Sequence, residues 1–316
     1  DYAALVEQLQ GTTTNGTSAA GISRVNAARF LMHAGFGPTL EDIQHVQTIG
    51  FSAWIAEQMS LPSTKHSDYI QSIYQNMTSQ RQTENYSRGG GDSDPFLFGN
   101  NMQTAFARAA IQGSDQLRQR VAFALSQILV ASRRDANLEN RCLGMADFYD
   151  IFVRHAFGNY EDILMEVTMH PVMGRYLSHV GNQKADPTIN RYPDENYARE
   201  VMQLFTLGLW ELNTDGSRVL VSDQPVPTYS NAEITQLARV LTGFWFGGDT
   251  WGGGGWTEQD YATPMRLHAD RHDFGAKTLL NGFVITARAA TEENAQRDVR
   301  DATVSYTHLR AHETEA

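Results

Sequence analysis

The segment from Pro193 to Gly216 contains the residues whose types and spacing are best suited to chemistry. It reads PDENYAREVMQLFTLGLWELNTDG. Asn196, Glu200 and Gln203 stand at i, i+4 and i+7, so a helix would place them on one polar line beside its apolar positions. A carboxylate two turns into a helix cannot cap its N-terminus. Glu200 therefore needs a partner elsewhere, either an arginine in a structural ion pair or a substrate.

The other charges of this segment have structural uses. Asp194 is suited to capping the helix, and Glu195 to the positive end of the helix dipole. Glu195 and Arg199 are spaced for an i,i+4 ion pair, although Arg199, like Asn196, also remains a candidate binding residue. The apolar stripe that we expect in the core consists of Tyr197, Val201, Leu204, Phe205 and Leu209.

A second group of possible catalytic or metal-binding side chains lies in LHADRHDFGAK. Its imidazole and carboxylate donors are His268, Asp270, His272 and Asp273. Such donors suit a divalent metal. In the narrower interpretations, Asp273 orients His272, or His272 and Lys277 hold an acidic partner such as Glu200. The structural alternative is a His–Asp network without metal or catalysis.

Two further groups could bind a ligand. The glycine-rich stretch FWFGGDTWGGGGW contains Trp245, Trp251 and Trp256, which could stack on sugar rings or on an apolar partner, or tuck back into the core. His170 and Asn182, with Lys184, precede the PDENYARE helix and could line its N-terminal end, which attracts anions. The alternative for these residues is a loop that hydrogen bonds pin to the helix cap.

The elements that must position these residues are mostly helices. Apolar spacing and capping signals, such as Thr39 with Asp42 and Ser230 with Glu233, predict roughly eight to ten of them. Pro171 predicts a break after His170. Strand character is confined to KTLLNGFVI, where Asn281-Gly282 predicts a β-hairpin near residues 277–286. The expected fold class is all-α with this one small hairpin.

The predicted organisation is a mobile arm over residues 1–21 and a single helical domain over 22–303. Residues 304–316 lack apolar periodicity and resemble translated adapter read-through, so we expect them to be a non-native tail.

Composition excludes several classes of protein. A formal net charge of -11, without a Lys/Arg-rich stripe, argues against nucleic-acid binding. No apolar run is long enough to span a bilayer. The single cysteine, Cys142, excludes an intramolecular disulfide, and we expect it to be buried and inert. HExxH, GxSxG, P-loop and paired CxxC motifs do not occur in the sequence.

Seven motifs, in order from Arg29 to Ala302, resemble the bacterial family called domain of unknown function 1800. They are RFLMHAGFGPTLEDI, LRQRVAFALSQILVAS, HAFGNYEDIL, HPVMGRYL, PDENYAREVMQLFTLGLWELN, ARVLTGFWF and RHDFGAKTLL. The resemblance implies an exported protein with a C-terminal portion beyond this sequence, and it supplies no activity or catalytic residues. The family pattern includes His272, Asp273 and Lys277 but not His268, which weakens the four-ligand metal site.

Two classes of function follow. The first is an exported envelope or extracellular protein that acts as a scaffold or binding module for another exported protein or an extracellular polymer, without a cofactor. The second is a hydrolase of such a polymer, with Glu200, His272 and Asp273 as catalytic residues, or with a divalent metal on His272 and Asp273. The hydrolase hypothesis requires Glu200, His170, His272 and Asp273 to converge in an open cleft.

Overall fold

Twelve α-helices make up most of the computed structural model, which describes residues 21–75, 100–139, 141–247 and 260–314. They are α1 (Arg24–Ala34), α2 (Leu40–Ile49), α3 (Phe51–Ser60), α4 (His66–Gln75), α5 (Asn100–Gln112), α6 (Gln116–Ser126), α7 (Cys142–Arg154), α8 (Tyr160–Met169), α9 (Pro171–Tyr176), α10 (Asn196–Glu200), α11 (Asn231–Val240) and α12 (Glu292–Thr314). The predicted, mainly helical fold class is confirmed, with more helices than expected.

The local signals that start and stop helices act as the sequence predicts. Thr39 and Asp42 form a reciprocal capping box at the start of α2, and Ser230 and Glu233 form another at the start of α11. Pro171 opens α9 directly after α8 ends at Met169. A proline has no backbone N–H and clashes with the preceding turn, so it ends one helix and begins the next.

Three short two-stranded antiparallel sheets accompany the helices in the described residues. Their strands are β1 (Leu220–Val221) with β2 (Gln224–Pro225), β3 (Phe244–Trp245) with β4 (Arg266–Leu267), and β5 (Lys277–Thr278) with β6 (Val284–Ile285). The last pair is the predicted hairpin, and its turn places Asn281 at φ 52° and Gly282 at φ 73°. The other two pairs are absent from the sequence prediction, because strands of two residues carry no alternation to detect.

The main core surrounds α7, which packs against α4, α5, α6, α8 and α9. Large buried side chains such as Phe152, Tyr197 and Phe244 fill this core. A smaller core, which includes Trp54, joins α1, α2 and α3. Cys142 is a free, buried thiol, as the sequence predicts. None of the helices in the described part of the chain has the length and apolar character needed to cross a membrane.

The expected boundary at residue 303 is not visible as a break in the chain. Helix α12 continues without interruption to Thr314, and Tyr306 is fully buried in the main core beside Val299 and Ala302. The expectation that residues 304–316 are a non-native tail stays a prediction. The predicted mobile arm falls almost entirely on residues 1–20, which lie outside the described residues.

Candidate functional site

A π-helical turn directly follows Glu200 and sets the geometry of the candidate site. Helix α10 ends at Glu200, and residues Val201–Thr206 continue it with the wider i→i+5 pattern. The Thr206 hydroxyl donates to the Val201 carbonyl at 2.6 Å, and the Leu207 N–H donates to the Met202 carbonyl at 3.0 Å. The Tyr160 hydroxyl donates to the Phe205 carbonyl at 2.6 Å, which satisfies an acceptor at the end of the turn.

The π-helical turn corrects the predicted apolar stripe. Val201 and Phe205 are buried as expected, but Leu204 is 60% exposed and Leu209 is 47% exposed. A π-helix rotates less per residue than an α-helix, so the residues after Glu200 leave the face that α-helical spacing assigns to them. Leu204 therefore lies on the surface, on the same side as Glu200.

Glu200 and Leu204 line an open groove of about 790 Å³. We call it the Glu200 groove, and its eight lining residues are Gln127, Ile128, Val130, Tyr176, Leu177, Glu200, Leu204 and Phe205. They come from three parts of the chain: the segment after α6, the end of α9, and α10 with its π-helical turn. The groove is mostly apolar, and Glu200 is the only charged residue among the described residues that line it.

The remaining groove residues are absent from the sequence-based candidates. Ile128 appears in the sequence to continue the apolar stripe of α6, but α6 ends at Ser126 and leaves Ile128 38% exposed. Val130 is also exposed, at 42%. In the sequence, these residues belong to an apolar run that continues past the end of α6. Such a run does not by itself distinguish a surface groove from a core.

The Glu200 carboxylate is unpaired in the structure. Among the described residues it makes no hydrogen bond and no ion pair, although Arg199 is its immediate neighbour. Arg199 instead contacts Glu195 at 3.3 Å and the Asn231 side chain at 3.4 Å. The predicted Glu195–Arg199 pair is confirmed, and neither predicted partner of Glu200, an arginine or His272, is found beside it.

The N-terminus of α10 is fixed by hydrogen bonds rather than left open for an anion. The Asp194 carboxylate accepts from the Asn196 N–H at 2.8 Å, although the N-cap residue of α10 is Glu195 and not the predicted Asp194. The buried Asn182 side chain accepts from the Asp194 N–H at 2.8 Å and donates to the Leu241 carbonyl at 2.8 Å. Asn182 thus pins the loop to the helix start, which is the structural alternative considered for it. Lys184 contributes its backbone to the same region.

Tyr197 anchors α10 in the core one turn before Glu200. Its ring stacks on His179 with centroids 4.1 Å apart, and its hydroxyl lies 2.8 Å from that of Thr168. Because the Thr168 hydroxyl donates to the Leu164 carbonyl, the Tyr197 hydroxyl donates to Thr168. His179 is fully buried and donates from Nε2 to the Thr168 carbonyl at 2.8 Å. These contacts hold the backbone that carries Glu200.

His179 predicts a loss of stability in acid. Burial lowers its pKa from 6.5 to about 4, an effect that the hydrogen bond to Thr168 only partly offsets. Above pH 6.5 both the folded and the unfolded chain keep this imidazole neutral, and below it only the unfolded chain takes up the proton. His179 should therefore remove roughly 3 kcal/mol of stability as the pH falls to about 4.

Urea unfolding of the wild-type and His179→Gln proteins across this pH range checks the prediction. At neutral pH the variant should be less stable than the wild-type protein, because it loses the stack on Tyr197. Its free energy of unfolding should fall less steeply as the pH is lowered. Equal pH slopes in the two proteins would contradict the assignment to His179.

The residues of RHDFGAK form a buried ionic cluster around Asp298. The Asp298 carboxylate lies 3.3 Å from His272 Nε2, 2.7 Å from Lys277 Nζ and 2.6 Å from Arg288 Nη1. His272 Nδ1 lies 2.8 Å from the Thr242 carbonyl, and Arg288 also pairs with Asp301. The hypothesis that His272 and Lys277 hold an acidic partner is thus correct in kind, but the partner is Asp298 and not Glu200.

Burial and ion pairing act in opposite directions on this cluster. Burial lowers the pKa of Lys277, and the contact with Asp298 partly offsets that effect. Burial alone would raise the pKa of Asp298, but hydrogen bonds from His272 and Lys277 bring it below its usual range. His272, Lys277 and Asp298 are each at most 1% exposed, so these three side chains are shielded from solvent, and Arg288 is the partly exposed member of the cluster. This arrangement is suited to holding the β5–β6 hairpin against α12.

Asp273 does not orient His272. It forms a forked pair with Arg239, at 2.8 and 3.1 Å, and this pair lowers its pKa against the opposing effect of burial. Asp270 instead contacts Arg271. Among the described residues no three His, Cys, Asp or Glu side chains are arranged to hold a metal ion.

His170 also has its own partners. It caps α9 by accepting from the Val172 N–H at 3.2 Å, and its Nε2 lies 3.2 Å from Asp147. Burial lowers the pKa of His170 although Asp147 opposes the shift. In the described part of the chain, Glu200 shares no hydrogen bond, ion pair or cavity with His170, His272 or Asp273. The four residues of the hydrolase hypothesis do not converge.

Of the three tryptophans, Trp251 and Trp256 lie outside the described residues. Trp245 belongs to β3, where its ring packs edge-on against Phe246 with centroids 5.7 Å apart. The Trp245 ring also approaches Gly181 so closely that a side chain there would touch it. Trp245 is thus partly packed into the domain rather than carried by an open loop.

Comparison with known proteins gives one match. Residues 29–308 match the family described as "Protein of unknown function (DUF1800)". Searches of the curated proteins and of the solved structures find no match to the chain.

Proposed function

Because the chain belongs to the DUF1800 family, whose function is unknown, we propose its function from the geometry of the Glu200 groove. The protein is a binding module that takes an apolar, positively charged segment of a partner protein. The observation that carries this proposal is an unpaired carboxylate, Glu200, set among exposed apolar side chains.

The apolar walls support binding of apolar side chains. Ile128, Val130 and Leu204 are 38%, 42% and 60% exposed and line the same groove. Exposed apolar residues are ordinary when scattered, but several in one groove are typical of an interaction site. A bound segment would remove these side chains from water, and burial of apolar surface is the main favourable term in association.

The negative charge of the groove favours a partner segment with a positive charge. Glu200 makes no ion pair in the described residues, because its neighbour Arg199 pairs with Glu195, and the whole chain carries a formal net charge of -11. A lysine or arginine of a partner would pair with Glu200 inside a partly apolar groove, where such contacts contribute to specificity and to the association rate. An acidic segment would be repelled.

A protein segment fits the groove better than a polysaccharide does. Gln127, Tyr176 and Glu200 are its only side chains with strong hydrogen-bonding groups. A sugar polymer carries many hydroxyl groups, which would lose their water without finding enough partners. Export of the protein, which the family resemblance implies, is part of this proposal, as is the exported nature of the partner.

Binding of two short synthetic peptides tests the proposal. Both contain several leucines, and one carries a single lysine where the other carries glutamine. The wild-type protein should prefer the lysine peptide by up to about fivefold at low salt, and the Glu200→Gln variant should show no preference. Isothermal titration calorimetry measures both affinities.

Glu211→Gln is the matched control for this experiment. Glu211 is exposed and does not line the groove, so its replacement changes the net charge equally without touching the site. If neither peptide binds, or if Glu211→Gln and Glu200→Gln act alike, Glu200 is not the recognition group.

A further inference from the structure

A second cavity continues from the Glu200 groove. It has a volume of about 290 Å³, and we call it the Tyr149 groove after one of its lining residues. Gln127 and Val130 line both cavities. Val130 is 42% exposed, so its side chain offers apolar surface where the two cavities adjoin. A chain segment that crosses Val130 would contact both grooves.

The second groove resembles the first in its apolar walls and differs in its charge. Met145, Phe148 and Phe152 contribute apolar surface to it. Its one charged lining residue is Arg133, which makes no hydrogen bond or ion pair within the described part of the chain. Glu200 lines only the first cavity and Arg133 only the second, and the two do not pair with each other.

We infer that the two grooves form one binding surface for a peptide segment that carries a cationic residue for Glu200 and an acidic residue for Arg133. This inference rests on the proposed function and adds the second charge to it. Each unpaired charge lies beside apolar surface that a bound segment would cover, so each gains from an opposite charge on that segment. Between its charged residues, the segment needs apolar side chains to cover Val130.

The spacing of the two charges gives specificity against other apolar segments. A segment with two cationic residues would place one of them near Arg133, and a segment with two acidic residues would place one near Glu200. Like charges brought together on binding disfavour the complex, so both would be rejected in part. Among segments charged at both positions, only one with its cation at Glu200 and its acid at Arg133 avoids this penalty.

Charge reversal in the protein and in the probe tests this inference. Three synthetic leucine-containing peptides carry lysine and glutamate, two lysines, or two glutamates at the same two positions. The wild-type protein should prefer the mixed peptide by roughly threefold, E200K should prefer the two-glutamate peptide, and R133E the two-lysine peptide. The double variant E200K/R133E should lose the preference for the mixed peptide, because each peptide charge would then meet a like charge. R134E is the control, because Arg134 is exposed and lines neither groove.

The outcomes separate this inference from the proposed function. If the peptides bind and E200K changes the preference while R133E acts like R134E, the Glu200 groove stands alone and the inference is overturned. If none of the three peptides binds the wild-type protein, both the proposed function and the inference are wrong. Inversion of the preference by both E200K and R133E supports the two-groove surface.

Discussion

Replacing Asp298 with asparagine is expected to lower the free energy of unfolding by about 3–5 kcal/mol. Among the described residues, Asp298 is the only acid that forms an ion pair with Lys277, and the Lys277 side chain is fully buried. Asparagine has nearly the same volume, so the loss would come from charge: the Lys277 ammonium group would remain in the interior without a carboxylate, and Arg288 would keep only Asp301. Urea unfolding at neutral pH measures the change.

Two further variants show whether charge is the cause. Asp301→Asn removes the other, more exposed partner of Arg288 and should cost less than about 1 kcal/mol. Adding Lys277→Met to Asp298→Asn should recover part of the lost stability, because it removes the unpaired ammonium group. If Asp298→Asn costs no more than Asp301→Asn, the buried cluster does not stabilise the hairpin.

Replacing Leu204 with aspartate is expected to weaken binding of the lysine-containing peptide by roughly thirtyfold or more, the effect of losing a central contact residue. Leu204 lies beside Glu200 and is the most exposed of the three aliphatic residues Ile128, Val130 and Leu204. Aspartate would remove apolar contact. It would also add a carboxylate that loses its water when the leucines of the peptide cover it. Because Leu204 is already 60% exposed, the stability of the fold should change little.

Leu212→Asp is the matched control for Leu204→Asp. Leu212 is 58% exposed and does not line the groove, so the same substitution there should leave peptide affinity unchanged. Titration calorimetry gives the affinities, and urea unfolding shows that both variants are folded. Equal affinities of the two variants would exclude Leu204 from the binding surface.

Local signals in the sequence predicted much of the fold. Capping pairs and Pro171 marked helix ends correctly because their effects depend on neighbouring residues alone. Asn281-Gly282 likewise predicted the turn of the β5–β6 hairpin, since both residues readily adopt positive φ. The pairs β1–β2 and β3–β4 escaped prediction because neither has such a turn: Ser222 and Asp223 join β1 to β2, and β3 and β4 are far apart in the sequence.

The candidate site was predicted in part. Glu200 was singled out correctly as the acid without a capping role, but its surroundings depend on the π-helical turn, which no apolar periodicity indicates. The same turn moved Leu204 from the predicted core to the groove. Side chains from α6 and α9 reach the groove only through the packing of distant segments, which a single sequence does not specify.

Asp298 was missed for a different reason. The C-terminal part of its helix, α12, belongs to the predicted tail. The segment around Asp298, TEENAQRDVRDA, has the composition of a charged surface helix. Yet Asp298 is spaced by three and four residues from the buried Ala295 and Ala302, which places it on the buried face of α12. A single acid on such a face needs a buried cation, and Lys277 and Arg288 provide it.

The most direct test of the account is a methyl NMR titration of the protein with the lysine-containing leucine peptide. Binding of the peptide in the Glu200 groove should change the chemical shifts of the methyl groups that line it, which belong to Ile128, Val130, Leu177 and Leu204. Ile189 and Leu212, which are 64% and 58% exposed but lie outside the groove, should not shift. Shifts at Ile189 or Leu212 without shifts at the four groove residues would contradict the assignment of this groove as the binding site.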